Sequence, residues 1–398
     1  MVAKKTGSSG EALPVRVVTF NVRYAAPRPM PNEKSWQVRC PKICTQLDFI
    51  TRGHDSPFLC LQEVLYPQLL DIQAGLGEGW GYVGIGRDDG DRLGELSPVF
   101  YRVDTWKCEV FKNYWLSETP DRPSKGWDAA LPRIVTVGEF VHKRTGQRAV
   151  VMSTHFDHLG VVAREQSAKL ILRIAAQWAE ERASSPPAAV ILGGDFNSNP
   201  SDNAYKSMVA KGSGMADAHA LVPAEKRYGN ELTYTSFDEP DQQAVRIDFI
   251  FVKVPSDVKV TTFGVLTNRF DDGVFLSDHR PVVADLEVAE DAVSICYPEW
   301  HIVDLTLCSD ARAPCETDSA CDVPQISSNL DEAPHVSNIE RTWVSLLTSS
   351  RTPHAALAVE SKVMTSPSTP SPFEMPRRDL CTQGEFGPRP SCGAKWRP

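Results

Sequence analysis

Residues able to bind a metal ion or move a proton recur at the ends of strand-length apolar runs in this 398-residue chain. Asn21 follows "VRVVTF", Glu63 ends "FLCLQE" and His155 ends "RAVVMSTH". "AAVILGG" leads into Asp195 and Asn197, Asp248 stands near the start of "RIDFIFVKV", and Asp278-His279 precede "RPVVADLEV". An isolated Asp or Asn at such a place is ordinarily a turn former. Six such sites between positions 21 and 279 point instead to one centre, because active sites on layered sheets are assembled from loops at one edge.

The residue types narrow the chemistry. Asn21, Glu63, Asp195, Asn197 and Asp278 offer hard oxygen donors, which favour Mg2+ over zinc, with Mn2+ as a substitute. Asp195 and Asn197 are two apart, so on an extended backbone both project to one side. Gly193 and Gly194 just before them would allow a sharp turn or the close approach of a ligand. His155 and His279 can donate to phosphate oxygens or, with a carboxylate orienting the ring, move a proton. This set suits attack of water on a phosphate ester, which needs charge neutralisation and in-line positioning.

The elements that must hold these groups alternate up to about residue 290. Strands are predicted at 15–21, 58–63, 148–155, 188–197, 246–254 and 280–288. "VVAREQSAKLILRIAAQWAEER" (161–182) has Val162, Leu170, Ile171, Ile174 and Trp178 on one helical face, and Asp157 is a candidate cap before it. A helix over 34–51 is expected to be disturbed early by Pro41, and another to begin near a Ser201 cap. The class is mixed α and β with a large sheet system. Residues 1–14 read as a flexible N-terminus, 15–290 as the catalytic domain and 291–398 as a Pro/Ser-rich disordered tail, with a short helix around 339–347.

Composition bounds the partners. The net charge of −9 opposes sequence-independent binding to polyanions, so charge for an anionic substrate must be supplied locally. No apolar stretch near the start suggests a secretory signal and no 18-residue apolar run suggests a membrane span, so a cytoplasmic protein is expected. The nucleus stays open as a second location. Four of the ten cysteines (Cys40, Cys44, Cys60, Cys108) precede residue 290; none of the ten forms a CxxC pair, and reduced thiols are expected.

"TFNVRY", "LQEV", "STHFDH", "GGDFNSNP", "RIDFIF" and "LSDHRPV" together resemble the ordered motif set of the endonuclease/exonuclease/phosphatase superfamily, over residues 15 to about 288. In motif texture the chain is most similar to the carbon-catabolite-repression-type deadenylase branch. The resemblance implies an α+β fold: a four-layer αββα sandwich, two mixed sheets face to face with helices outside. It implies that Glu63 is the principal metal ligand, with Asn21 binding metal or phosphate and Asp278 near the metal. Asp195 would align or deprotonate the attacking water, and Asn197 would stabilise the transition state. His279, paired with Asp248, would contact the scissile phosphate, and His155 would donate to a phosphate oxygen. Whether Asp195 or the His279–Asp248 pair is the base stays open.

Two further segments, 86–101 and 115–133, supply rim candidates. Arg87 and Arg133 could clamp phosphate, Asp89 and Glu95 are further candidates for the substrate rim, and Trp127 could stack on a base or sugar or simply pack in the core. The expected activity is Mg2+-dependent hydrolysis of a phosphodiester, nuclease- or exonuclease-like, on single-stranded RNA or a nucleotide. The alternatives are a phosphomonoesterase on an inositol or sugar phosphate, a sphingomyelinase-like enzyme, and an inactive binding homologue. "STHFDH" also echoes the H-x-H-x-D-H signature of metallo-β-lactamase-type hydrolases, but Ser153 stands where the first zinc ligand would be. A serine hydrolase is disfavoured because no G-x-S-x-G is present.

Overall fold

The computed structural model describes residues 12–180, 187–256 and 258–289. The chain runs β1 (Leu13–Asn21), α1 (Trp36–Thr51), β2 (Pro57–Gln62), β3 (Val64–Leu65), α2 (Tyr66–Leu76), β4 (Trp80–Val83), β5 (Glu95–Leu96) and β6 (Val99–Arg102). It continues through β7 (Trp106–Trp115), β8 (Ile134–His142), β9 (Arg148–His155), α3 (Val161–Glu180), β10 (Ala189–Asp195), α4 (Asn203–Met208) and β11 (Met215–Asp217). Last come α5 (Ala218–Leu221), β12 (Arg227–Gly229), β13 (Asp248–Lys253), β14 (Val258–Val265) and β15 (Val282–Val288). The expected tail, its short helix and residues 1–11 lie outside the described residues.

Two mixed sheets result, in the orders β12-β14-β15-β1-β2-β6-β4 and β11-β13-β10-β9-β8-β7. Side-chain alternation decides what fills the space between them. Along β1, Leu13, Val15 and Val17 enter a core shared with Ile191 and Ile250 of the other sheet, while Val18 and Phe20 pack with Ile43 and Leu47 of α1. Along β10, Ala189 and Ile191 face the first sheet, while Val190 and Leu192 pack with Ile171 and Ile174 of α3. The layers are therefore αββα, as the motifs implied.

The same two-residue period carries through to the chemistry. Asn21, His155, Asp195 and Asp248 share the parity of Val17, Val151, Ile191 and Ile250, so each aims into the gap between the sheets at its strand's end. β1 and β2 run parallel, as do β9 and β10, and antiparallel β13 starts where β10 ends. Asp195 stands in register with His155 on one side and Asp248 on the other. One edge of the sandwich collects them all.

Local details differ from the sequence reading. Gly193 and Gly194 lie inside β10 and make no turn. A Cβ on Gly193 would stand 2.9 Å from Cys60 Cβ and 3.1 Å from Thr19 Cβ, so glycine is what lets the sheets approach there. α1 runs straight through Pro41. Ser201 does not cap α4; its hydroxyl donates to Asn199 Oδ1, and Asp202 occupies the N-cap position. The first N–H groups of α3, from Val162 and Ala163, are received by Asp128 of a neighbouring loop. The four cysteines among the described residues are free thiols. No described helix is long and apolar enough to cross a membrane.

Candidate active site

Asp195 is the hub. Its Oδ2 accepts from Asn21 Nδ2 (3.0 Å) and lies 3.5 Å from His155 Nε2 and 3.6 Å from His279 Nε2, while Oδ1 accepts from Asn197 N (2.9 Å). Burial raises its pKa above the ordinary carboxylate range, against the pull of His279 and with the help of Asp248. Asn21 Nδ2 also donates to Glu63 Oε1 (3.1 Å), so one amide holds the two carboxylates side by side. Its own oxygen accepts from Arg23 N (3.0 Å). Glu63 Oε2 accepts from Tyr24 N (3.1 Å), with Arg23 Nη1 3.8 Å away.

Their surroundings push the two histidines in opposite directions. Asn197 Nδ2 donates to Phe156 O (3.0 Å), which fixes its amide orientation, and the same nitrogen lies 3.0 Å from His155 Nε2. That ring nitrogen must accept, so the proton of neutral His155 is on Nδ1, 3.5 Å from Glu95 Oε2. Burial, aided by the Arg133 charge, takes the His155 pKa down to about 3. His279 Nδ1 donates to Asp248 Oδ2 at 2.9 Å. Burial alone would lower its pKa, but Asp248 and Asp195 outweigh it and hold it at about 10. Its Nε2 faces the space beside Asp195. Tyr234 packs edge-on against the ring, 5.0 Å between centroids.

The backbone is strained where it is needed. Arg23, Glu63, Asn197 and Trp127 all have positive φ without being glycine (58°, 58°, 46° and 48°). Such conformations persist where the surroundings over-determine them, and three of these residues touch the hub or its partners.

Asp278 completes the acidic side. Ser277 Oγ donates to its Oδ1 (3.2 Å), and burial together with the Glu63 charge pushes its pKa up. Buried carboxylates that repel one another and present only hard oxygen suit a small divalent cation. Asp195, Asp248 and His279 also offer ligand atoms all within 4.8 Å of one another, near enough to hold an ion.

The rim candidates divide. Arg87 forms a bidentate pair with Glu95 (2.7 and 3.0 Å), and Arg133 Nη1 lies 3.8 Å from the same carboxylate. Both guanidiniums are buried, so they brace Glu95 and through it His155 rather than standing free as clamps. Asp89 accepts from Asp91 N and Leu93 N within its own loop. Trp127 is half-buried against the apolar cluster under α3.

Arg39 had no sequence signal, because a lone Arg on an amphipathic helix reads as a solvated one. It is fully buried on α1 and donates to Val22 O (2.7 Å), Leu276 O (2.8 Å), Arg23 O (3.1 Å) and Tyr24 O (3.3 Å). It thereby ties the loop that follows Asn21 at the end of β1 to the loop before β15, which carries Asp278.

The profile of the endonuclease/exonuclease/phosphatase family matches residues 18–279, and the chain belongs to that family. It is a hydrolase of phosphate esters. Among solved structures it is similar to an endonuclease/exonuclease/phosphatase from Bacteroides vulgatus, 36% identical with a TM-score of 0.61, covering 69% of this chain and 99% of that one. A mannosyl-6-phosphatase of Bacteroides thetaiotaomicron is 34% identical with a TM-score of 0.59, covering 68% and 99%. The human Nocturnin catalytic domain, 19% identical with a TM-score of 0.50 and covering 69% and 95%, shares the fold. No match is found among curated proteins.

Proposed function

We propose that the chain is a Mg2+-dependent phosphatase, able to use Mn2+, that releases phosphate from a small hydroxylated alcohol. The observation that carries the chemistry is the arrangement around Asp195: a buried carboxylate of raised pKa between one neutral and one charged histidine. Glu63 and Asp278 would hold the metal, because His279 Nδ1 is committed to Asp248 and the triad around it is better used for protons. A bound divalent ion would neutralise charge on the phosphoryl oxygens and the leaving oxygen.

The remaining work belongs to the chain's own groups. Asp195 aligns a water and takes one of its protons as the water oxygen adds to phosphorus and the bond to the ester oxygen breaks. That oxygen takes up a proton from solvent and leaves as the alcohol, and Asp195 returns its own proton to solvent. His279 Nε2–H donates to a phosphoryl oxygen, while Asp248 holds the ring. Asn197 Nδ2 exchanges His155 Nε2 for a second phosphoryl oxygen, so its donor is already aimed before substrate arrives. His155, released from Asn197, is turned by Glu95.

Support for a monoester comes from the 34% identity to a mannosyl-6-phosphatase and from the net charge of −9, which is ill suited to a long polyanion. The nuclease and deadenylase readings use the same chemical step, but they lean on a likeness of fold. The test is phosphate or nucleotide release from hexose phosphates, inositol phosphates, single-stranded RNA, poly(A), DNA and sphingomyelin, each with Mg2+ and with EDTA. Turnover of RNA above sugar phosphates would reverse the substrate assignment.

A further inference from the structure

Two cysteines of α1 face each other. Cys40 and Cys44 stand one helical turn apart with their Sγ atoms 3.9 Å from one another, and both are free thiols. Cys44 is 6% exposed, whereas Cys40 is half-buried and reaches solvent. Four residues apart in an α-helix the Cα atoms lie about 6 Å from each other, within the span that a disulfide bridges. With Cys44 as donor, their contact favours a thiolate on Cys40, and the Arg39 charge adds to it. The Cys40 pKa therefore lies below the ordinary thiol value, against the effect of burial. Cys40 is the thiol placed to react first and Cys44 the one placed to resolve.

Closing the bond would not leave α1 as it is. Cβ atoms at this spacing on a helix are about 5–6 Å apart, and a disulfide draws them to about 3.5–4.5 Å. Cys44 packs against the backbone of α2 at Gly75, where an added Cβ would meet its Sγ at 2.5 Å. The movement therefore falls on Cys40. Its neighbour Pro41 has no N–H to bond the preceding turn, so the helix is weakest there. Its other neighbour is Arg39, whose guanidinium holds the carbonyls of Val22, Arg23, Tyr24 and Leu276. Those loops carry Tyr24 N, which donates to Glu63, and Asp278.

We propose that Cys40 and Cys44 are a modification site, oxidised by a hydroperoxide to a disulfide that weakens metal binding between Glu63 and Asp278, and restored by thiols. The Cys40 thiolate attacks the peroxide; an S–O bond forms, the O–O bond breaks, and the other oxygen takes a proton and leaves as water or an alcohol. The Cys44 sulfur then displaces the oxygen on Cys40, forming the S–S bond, and its thiol proton leaves with that oxygen as water. The peroxide gains the two electrons that the thiols lose. The disulfide stands on α1 alone, while its effect on turnover rests on the metal site proposed above.

The reduced full chain is exposed to hydrogen peroxide, digested with trypsin without reductant and read by mass spectrometry. Residues 40–42 and 43–52 should appear as one linked pair that dithiothreitol separates. The Mg2+ concentration for half-maximal hydrolysis of a sugar phosphate should rise about tenfold and return on reduction. Cys40→Ser and Cys44→Ala should keep the reduced chain's activity and lose the response. No such link at a peroxide dose that oxidises other thiols of the chain, a link with an unmoved Mg2+ requirement, or a response that persists in both variants overturns the proposal. Calorimetric titration with Mg2+ needs no turnover and so separates this from failure of the phosphatase reading. Weaker binding to the oxidised chain supports the site even if no ester is hydrolysed, and equal binding overturns it.

Discussion

Asp157→Asn probes how the strained loops are held beside the site. The Asp157 carboxylate is 1% exposed. It accepts from Gly160 N (2.8 Å), Leu159 N (3.0 Å), Ala130 N (3.1 Å) and Leu131 N (3.2 Å), with Arg133 Nε at 3.5 Å. Burial would raise its pKa, but the N–H groups of Gly160, Ala130 and Leu159 and the Arg133 charge outweigh it and hold it far below the ordinary range. An amide in its place turns an NH2 towards Leu131 N–H and Arg133, leaving two buried donors unpaired at about 1–3 kcal/mol each. Unfolding free energy at pH 7 should therefore fall by about 3–4 kcal/mol, and Tm by roughly 10 °C. A depressed folded pKa gives stability that is present above the unfolded pKa near 4 and is lost as pH falls towards the folded value. The gap between natural chain and variant should thus be full at pH 7 and narrower at pH 3. Urea unfolding at both pH values measures it; a gap below about 1 kcal/mol, or one indifferent to pH, refutes the reasoning.

Other consequences can be checked in the same way. Asp248→Asn removes the charge that keeps His279 protonated, so kcat/KM should fall about 10²–10⁴-fold with Tm little changed, read by steady-state kinetics and thermal melts. Arg39→Met leaves the carbonyls of Val22 and Leu276 without their donor, and the Mg2+ concentration for half-maximal activity should rise about tenfold or more; Arg39→Lys should recover part of that rise. Gly193→Ala forces a methyl against Cys60 and Thr19 and should cost about 1–3 kcal/mol in urea unfolding.

Much of the centre was legible because its residues stand at the ends of strands whose apolar alternation is strong. The six predicted strands all exist, and the parity that buries Val17 and Ile191 also aims Asn21 and Asp195 at each other. What stayed hidden depends on pairing rather than pattern. The β7–β8 hairpin went unpredicted because β7 is an edge strand, "WKCEVFKNYW", whose middle is exposed and charged. Glu95 gained its role only through the small β3–β5 sheet, in which it pairs with Leu65, two residues beyond Glu63. Gly193 looked like a turn because glycine ahead of a polar loop ordinarily is one, whereas its reason lies across the core in Cys60. Arg39 could not be told from a surface arginine, since its partners are carbonyls, which sequence does not show.

The central claim is that water, aligned by Asp195, attacks phosphorus with a divalent metal in place. Its most direct test is hydrolysis of a sugar phosphate in water labelled with heavy oxygen, with Mg2+, with EDTA and in Asp195→Asn. The label is expected in inorganic phosphate with Mg2+, with no release in the other two. Label in the alcohol, or phosphate released at an undiminished rate with EDTA or in Asp195→Asn, would contradict it.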